Sequence, residues 1–246
     1  MKKRNSPMHT DQGKKGLRGA LIAIFIYIAL VNVGDALGAQ YGLGSVVTAL
    51  FVLALAAVLV KTQSRKDLGL VLPHVGNYQR VVYYLPLLLM VLIQWFDGLE
   101  PGMGASGMGE AALLMLGVGF VEEVLFRGML FQAIEKTSTT RRAVIISGVT
   151  FGLGHIVNLL RGYSASELAG QIVLAIAIGI LLSLLMARTR SVVAGAVFHI
   201  LFNFSGTVTN QGSESQGLFL IGLLLISLGA IVLLLRPSLQ KKVAVS

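Results

Sequence analysis

The stretch Phe120-Val-Glu-Glu-Val-Leu-Phe-Arg-Gly128 places two carboxylates and a guanidinium in the middle of an apolar segment spanning 111–134. A charge near the bilayer centre costs about 2.5–3.5 kcal/mol on insertion scales, so such residues are functional candidates. Glu123 and Arg127 are four residues apart, on one helical face, where they can form an ion pair. Glu122 is rotated by about 100° from that face. We therefore expect Glu122 to face another neighbour and to act as a general base.

Two later apolar segments each carry a histidine. His155 follows Phe151 by one helical turn, and Asn203 follows His199 at the same spacing. An imidazole N–H and a carboxamide N–H on one helical face are suited to bind an oxyanion in a water-poor cavity. These side chains join Glu122 as candidate site residues.

The composition indicates that the surrounding fold lies in a membrane. Of the 246 residues, 55% are apolar and only 13% are charged, whereas a soluble domain carries about 25% charged residues. Eight apolar segments are predicted, enough for a single all-α polytopic domain with a buried catalytic cavity. They are 17–37, 43–60, 81–96, 111–134, 143–160, 171–187, 192–204 and 218–235.

The basic residues predict the orientation. With a cytoplasmic N-terminus, 18 of the 20 lysines and arginines fall on the cytoplasmic side, and only Arg127 and Arg161 do not. The positive-inside rule then places both termini in the cytoplasm. The first segment could also be a signal peptide, but its long basic leader and long apolar run favour an uncleaved helix. We expect a cytoplasmic basic arm at 1–16, one transmembrane domain at 17–236 with its catalytic core at about 110–206, and a cytoplasmic tail at 237–246.

Several function classes are excluded or disfavoured by the composition. The chain has no cysteine, which excludes disulfides, thiolate nucleophiles and thiolate metal ligands. The net charge of +9 arises from basic residues that punctuate apolar segments, so membrane topology explains it better than nucleic-acid binding does. The expected partners are the lipid bilayer and a membrane-embedded or lipidated protein or peptide, and no nucleic acid.

The three motifs Glu122-Glu123-x-x-x-Arg127, Phe151-x-x-x-His155 and His199-x-x-x-Asn203 occur in this order on successive segments. Together they resemble the CPBP family. That family comprises CAAX proteases and bacteriocin-processing enzymes, and it includes type II CAAX prenyl endopeptidases and bacterial Abi proteins. The stretch Asp67-Leu-Gly-Leu-Val-Leu-Pro73 also resembles a sequence ahead of the core in bacterial members. The resemblance implies an intramembrane endopeptidase, in a multi-pass protein of a bacterial-type cell membrane.

The resemblance also implies a role for each motif residue. Glu122 matches the glutamate that activates water, and His155 matches a residue that positions or deprotonates that water. His199 and Asn203 match the oxyanion donors. The supporting ion pair is Glu123 and Arg127.

Metal dependence stays open at this point. The family has been described both as metalloproteases and as glutamate enzymes without a metal. A His-Glu-x-x-His motif is absent, yet Glu122, His155 and His199 could supply three ligands for zinc. We favour the metal-free mechanism with no cofactor, and zinc is the alternative.

Other intramembrane proteases leave weaker traces in the sequence. Gly104-Ala-Ser-Gly107 has the form of a rhomboid serine motif, but Ser106 is expected in a glycine-rich outer loop. An aspartyl protease needs two embedded aspartates, and only Asp35 comes close. A site-2 metalloprotease needs His-Glu-x-x-His, whereas only an Asp97-Gly98 pair is present.

Two non-proteolytic functions would use the same polar residues. A membrane scaffold or bacteriocin-immunity protein could use the pocket for binding alone, because resemblance to a family does not guarantee turnover. A transporter could use the buried glutamates and histidines as a proton relay. The combination of a base with oxyanion donors favours the protease.

Overall fold

The computed structural model describes residues 7–73, 76–210 and 216–236. Eight helical stretches can be followed in these ranges, and the only β-type pairing described there is one bridge between Leu99 and Thr209. The all-α prediction is therefore confirmed. The helices are α1 (Pro7–Tyr41), α2 (Val46–Thr62), α3 (Asn77–Leu92, with a 3₁₀ turn at Ile93–Asp97), α4 (Ala105–Glu123, continued by Val124–Phe131 and Gln132–Thr137), α5 (Thr140–Gly154, continued by a 3₁₀ turn at His155–Arg161), α6 (Ala165–Thr189), α7 (Val193–Val208) and α8 (Gln216–Leu235).

The helices differ in their capacity to cross a bilayer. Within the described ranges, α1, α5, α6 and α8 are long and apolar enough to span, while α2, α7 and the stretch Val81–Phe96 are apolar but shorter. A perpendicular span needs about 20 residues. Several apolar helices thus support an integral membrane protein, and the count of eight spans and the orientation of the termini stay predictions.

Several helices extend beyond their predicted segments, and at two of them the first residues show why. The first begins at Pro7 rather than near residue 17, so part of the expected N-terminal arm is helical. Proline is favoured at the first helical position because it has no N–H to leave unpaired. At the start of α6, Ser164 and Glu167 form a reciprocal capping box, which begins the helix six residues earlier than predicted. Residues 1–6 and the predicted tail 237–246 lie outside the described residues.

Close helix contacts at glycine bring the polar helices together. A Cβ added to Gly119 on α4 would lie 2.7 Å from the backbone nitrogen of Ile200 on α7. A Cβ added to Gly148 on α5 would lie equally close, 2.7 Å, to the backbone nitrogen of Ile180 on α6. Because each glycine faces backbone rather than a movable side chain, only glycine permits these approaches. The first contact places the two glutamates of α4 beside the histidine of α7.

The outer surface is apolar in places where a soluble protein would be polar. Phe25 on α1 is 73% exposed and Leu225 on α8 is 65% exposed, and many other large apolar side chains are similarly uncovered. Contiguous exposed apolar surface marks contact with a partner or a membrane. The pattern agrees with lipid around the helices.

Candidate active site

Glu123 and Arg127 form a buried ion pair inside α4. Arg127 Nη1 donates to Glu123 Oε1 at 2.6 Å, and both side chains are 1% exposed. Arg127 Nη2 donates to the carbonyl oxygen of Gly179 on α6 at 3.1 Å. Buried charges require such partners because the low dielectric penalises an isolated ion. The four-residue spacing correctly predicts this contact.

The helix widens directly after the two glutamates. Val124–Phe131 is a π-helical segment, and it contains Arg127. From α5, the buried Ser147 hydroxyl donates to the carbonyl oxygen of Phe126 at 2.8 Å. Wide turns of this kind occur frequently at functional sites. This one connects α4 to α5 at the depth of the ion pair.

His199 lies between the two carboxylates of α4. Its Nε2 is 3.4 Å from Glu122 Oε2, and its Nδ1 is 3.2 Å from Glu123 Oε1. The imidazole is only 4% exposed. An ionised carboxylate can only accept hydrogen bonds, so both contacts are satisfied when both ring nitrogens carry hydrogen. We call Glu123, Arg127 and His199 the sealed cluster.

Glu122 is held by a second helix besides α7. The Tyr27 hydroxyl of α1 donates to Glu122 Oε1 at 2.8 Å, while Oε2 faces His199. The Glu122 side chain is 14% exposed, against 1% for Glu123. The neighbouring glutamates therefore face different surroundings, as their rotation about the helix predicts.

Phe151 is the aromatic centre of the site. Its ring lies edge-on to the imidazoles of His155 and His199, each with a centroid distance of 5.4 Å, and to Phe126 at 5.3 Å. The Arg127 guanidinium lies 4.5 Å from the same ring centroid. A cation over a desolvated aromatic face is stabilised by about 2 kcal/mol. Phe151 therefore contacts both His155 and two members of the sealed cluster, Arg127 and His199.

A cavity of about 1130 Å³ opens beside these residues. Three of the four predicted catalytic side chains line it, on three different helices: Glu122 on α4, His155 where α5 becomes a 3₁₀ turn, and Asn203 on α7. We call these three residues the cavity-facing group. The fourth, His199, is not part of the lining, but its Nε2 lies 3.4 Å from Oε2 of Glu122, which is.

The three ligands of the zinc alternative do not converge. Among the residues that the structure describes, no cluster of three or more histidine, aspartate or glutamate side chains could hold a metal ion. Nδ1 of His155 faces the carbonyl oxygen of Phe151, in its own helix, at 3.3 Å. The Phe151 ring lies against both imidazoles. This arrangement does not fit a Glu122–His155–His199 zinc site, and we derive no step through a metal.

Two polar residues at the site belong to none of the three motifs, and the sequence does not predict them as site residues. Tyr27 is one, and a tyrosine within the apolar run of the first segment is the only signal for it. Gln94 is the other: its side-chain amide donates to the carbonyl oxygen of Phe202, directly before Asn203, at 3.2 Å. Both contacts join helices far apart in the sequence, so spacing within one helix cannot reveal them.

Ser106, the rhomboid-like candidate, lies away from the cavity. It is exposed in the first turn of α4, not in a loop as predicted, and it is not part of the cavity lining. The motif residues of α4, α5 and α7 thus meet one another without it.

Residues 104–205 match the family model described as Type II CAAX prenyl endopeptidase Rce1-like. The match is to this segment, which is less than half of the chain. It runs from the start of α4 into α7 and contains all three motifs, so the resemblance found in the sequence is confirmed. No curated protein matches the chain in a sequence search. The Rce1-like segment contains both the sealed cluster and the cavity-facing group, whereas Tyr27 lies outside it.

Proposed function

We propose that the chain is a membrane-embedded endopeptidase in which Glu122 activates water. The observation that carries the proposal is the convergence of Glu122, His155 and Asn203 on one cavity. The Rce1-like family supports CAAX-type endopeptidase activity. Peptide hydrolysis in a membrane needs water, a base and oxyanion donors in one enclosed space. The cavity-facing group has the side chains for these tasks.

The first step is attack of water on the scissile carbonyl carbon. Glu122 accepts a proton from the water as the oxygen–carbon bond forms, and His155 orients the water from the opposite helix. A positioned general base of this kind contributes about 10²–10⁴-fold to a rate. The carbonyl oxygen becomes the oxyanion of a tetrahedral intermediate.

The oxyanion needs donors that are already in place. Asn203 lines the cavity on α7, and its carboxamide supplies one N–H. His199 supplies the second once Glu122 is protonated, because its Nε2–H is then no longer held by an anionic carboxylate. A single donor of this kind is worth about 10²–10³ in kcat.

The intermediate collapses when the carbon–nitrogen bond breaks. The proton held by Glu122 passes to the leaving amine, which restores the carboxylate and completes the balance of one water per peptide bond. Glu123 and Arg127 take no proton in this scheme. Their ion pair holds α4 in the rotation that directs Glu122 to the cavity.

The sealed cluster also balances charge around the base. Glu122 and Glu123 carry two negative charges when ionised, and Arg127 compensates one of them. His199 compensates the second when both of its nitrogens are protonated. A neutral group of four is far less costly in a low dielectric than an excess anion.

The substrate we propose is a membrane-associated or lipidated protein or peptide, of which a prenylated CAAX protein is one example. A comparison of membrane peptidomes from cells carrying wild-type protein or Glu122→Gln tests this. We expect one cleaved terminus to disappear in the variant while the amount of folded protein is unchanged. An unchanged peptidome and phenotype in the Glu122 variant would favour a scaffold or immunity protein.

The metal-free form of the mechanism has its own test. Purified protein is assayed for bound metal, then treated with a chelator, and cleavage is measured before and after addition of zinc. We expect cleavage to survive the chelator. Stoichiometric metal, together with loss of cleavage and its recovery on zinc addition, would overturn the metal-free mechanism while leaving the endopeptidase assignment intact.

A further inference from the structure

We propose that Tyr27 is a positioning residue for the general base, an inference that rests on the proposed function of Glu122. The Tyr27 hydroxyl donates to Glu122 Oε1 at 2.8 Å, and the tyrosine is 7% exposed. It also contributes to the cavity lining. The contact joins α1 to α4 across 95 residues of sequence.

The contact restrains the carboxylate at two oxygens. His199 on α7 is 3.4 Å from Oε2, and Tyr27 on α1 donates to Oε1 at 2.8 Å. A carboxylate held at one oxygen by a single neighbour can still rotate about its terminal torsion, which is broad and weakly restricted. Two partners from different helices fix its plane. One lone pair of each oxygen is then occupied, and the others are available to water.

Tyr27 places a hydrogen-bond donor against the carboxylate that is proposed to accept a proton from water. A phenol O–H donated to a carboxylate stabilises the ionised form, which is the form that accepts a proton from water. The other titratable or charged groups near Glu122 are His199, which touches it, the ion pair of Glu123 and Arg127, and His155 across the cavity. His199 and Tyr27 contact different oxygens of the Glu122 carboxylate.

This assigns α1 a part in catalysis. The family match covers residues 104–205, and Tyr27 lies on a helix outside it. An Rce1-like segment without α1 would retain every motif residue and yet lack one of the two partners of its base.

The variant Tyr27→Phe tests the proposal because it removes only the hydroxyl. We expect kcat to fall about 3- to 10-fold with little change in KM, the effect of losing one hydrogen bond at the reacting centre. We also expect the acid limb of the pH–rate profile to move to higher pH by about 0.5–1 unit, because the ionised base has lost a donor. The matched control is Tyr41→Phe, the same change on the same helix, where the side chain is 65% exposed and outside the cavity lining.

A second measurement reads Glu122 without any substrate. Infrared titration of the full chain in lipid nanodiscs follows protonated carboxyl bands, and Glu122→Gln identifies the band that belongs to Glu122. We expect the midpoint of that band to move upward by about 0.5–1 pH unit in Tyr27→Phe and to stay in place in Tyr41→Phe.

The outcomes separate the two claims. Wild-type kinetics, pH profile and infrared midpoint in Tyr27→Phe would overturn the positioning role, even if Glu122→Gln is inactive. Full cleavage by Glu122→Gln would instead overturn the proposed function. A purely structural role would lower the unfolding temperature of Tyr27→Phe without moving either pH readout, and that result also rejects the proposal.

Discussion

The sealed cluster and the cavity-facing group are adjacent in space but differ in their surroundings. Glu123, Arg127 and His199 are almost fully buried and are bound to one another. Glu122, His155 and Asn203 border open space. Glu122 and Glu123 are consecutive residues with the same chemistry, and the surroundings alone separate them. Access to the cavity therefore makes Glu122 the candidate for the general base, while the sealed Glu123–Arg127 pair joins α4 to α6 through Gly179.

The largest effect is expected at the cavity-facing glutamate. Glu122→Gln keeps the shape of the side chain but removes its capacity to accept a proton, so cleavage should fall by about 10³-fold or more. Its unfolding temperature should match the wild type. Cleavage assays and thermal unfolding of the purified protein measure the two quantities, with Glu110→Gln on the same helix, outside the cavity lining, as the control. Equal losses in both glutamine variants would remove the distinction.

The sealed cluster should respond in stability. Arg127→Met leaves Glu123 buried without its cation, which costs about 3–5 kcal/mol in free energy of unfolding. Denaturant titration in detergent measures this cost. The surface pair Arg190–Glu135, in which Arg190 is 59% exposed, provides the control, because Arg190→Ala should cost less than about 1 kcal/mol.

A double variant tests whether the loss of stability in Arg127→Met comes from the unpaired charge of Glu123. Glu123→Leu combined with Arg127→Met removes both charges, and replacing a whole buried pair with apolar residues is often neutral for stability. We expect most of the stability lost in Arg127→Met to return in the double variant. Equal instability of the single and double variants would show that Gly179 and Phe151, the other neighbours of the guanidinium, matter more than the ion pair.

A smaller catalytic effect is expected at the oxyanion donor. Asn203→Ala should lower kcat by about 10²-fold, since it removes one of the two proposed donors, and it should leave KM close to that of the wild type. Steady-state kinetics on the cleaved peptide measure both constants. The control is Val197→Ala, an exposed position on the same helix. A raised KM with unchanged kcat would reassign Asn203 to substrate binding.

The smallest effect is expected at Ser106, which belongs to neither group. Ser106→Ala should cleave at the wild-type rate, because the serine is exposed at the start of α4 and is not part of the cavity lining. The same cleavage assay measures it. Loss of activity in Ser106→Ala, together with inactivation of the wild type by serine-directed inhibitors, would revive the rhomboid-like interpretation.

The sequence predicts contacts within one helix well and contacts between helices poorly. Four-residue spacing indicates the Glu123–Arg127 pair, because a regular helix repeats every 3.6 residues. That His199 touches both glutamates, and that it is buried next to a residue of the cavity lining, depends on the close approach of α4 and α7 at Gly119. Tyr27 was missed for the same reason: its partner is 95 residues away.

The span prediction shows a related limit. Hydropathy locates the apolar runs because it depends only on the residues within each run. It does not show which runs cross the bilayer, and α2 and α7 are shorter than a full perpendicular span. Hydropathy also says nothing about the helical extension of α1 back to Pro7, which lies in a polar stretch. The π-helical segment after Glu123 cannot be predicted from the hydrophobic pattern either, because a 3.6-residue period assumes a regular α-helix.

The π-helical segment Val124–Phe131 sets how the part of α4 before it is rotated relative to the part after it. Residues before Val124 present the glutamates to α7 and the cavity, whereas Gln132–Thr137, after Phe131, continue toward α1. A π-helical turn holds about one residue more than a regular helix does at the same register, so a regular turn of unchanged length would rotate everything beyond it by about 100° relative to the glutamates. The π-helical geometry therefore sets the rotation of the glutamates relative to Gln132–Thr137, and a change that made this turn regular would harm the site without altering one motif residue.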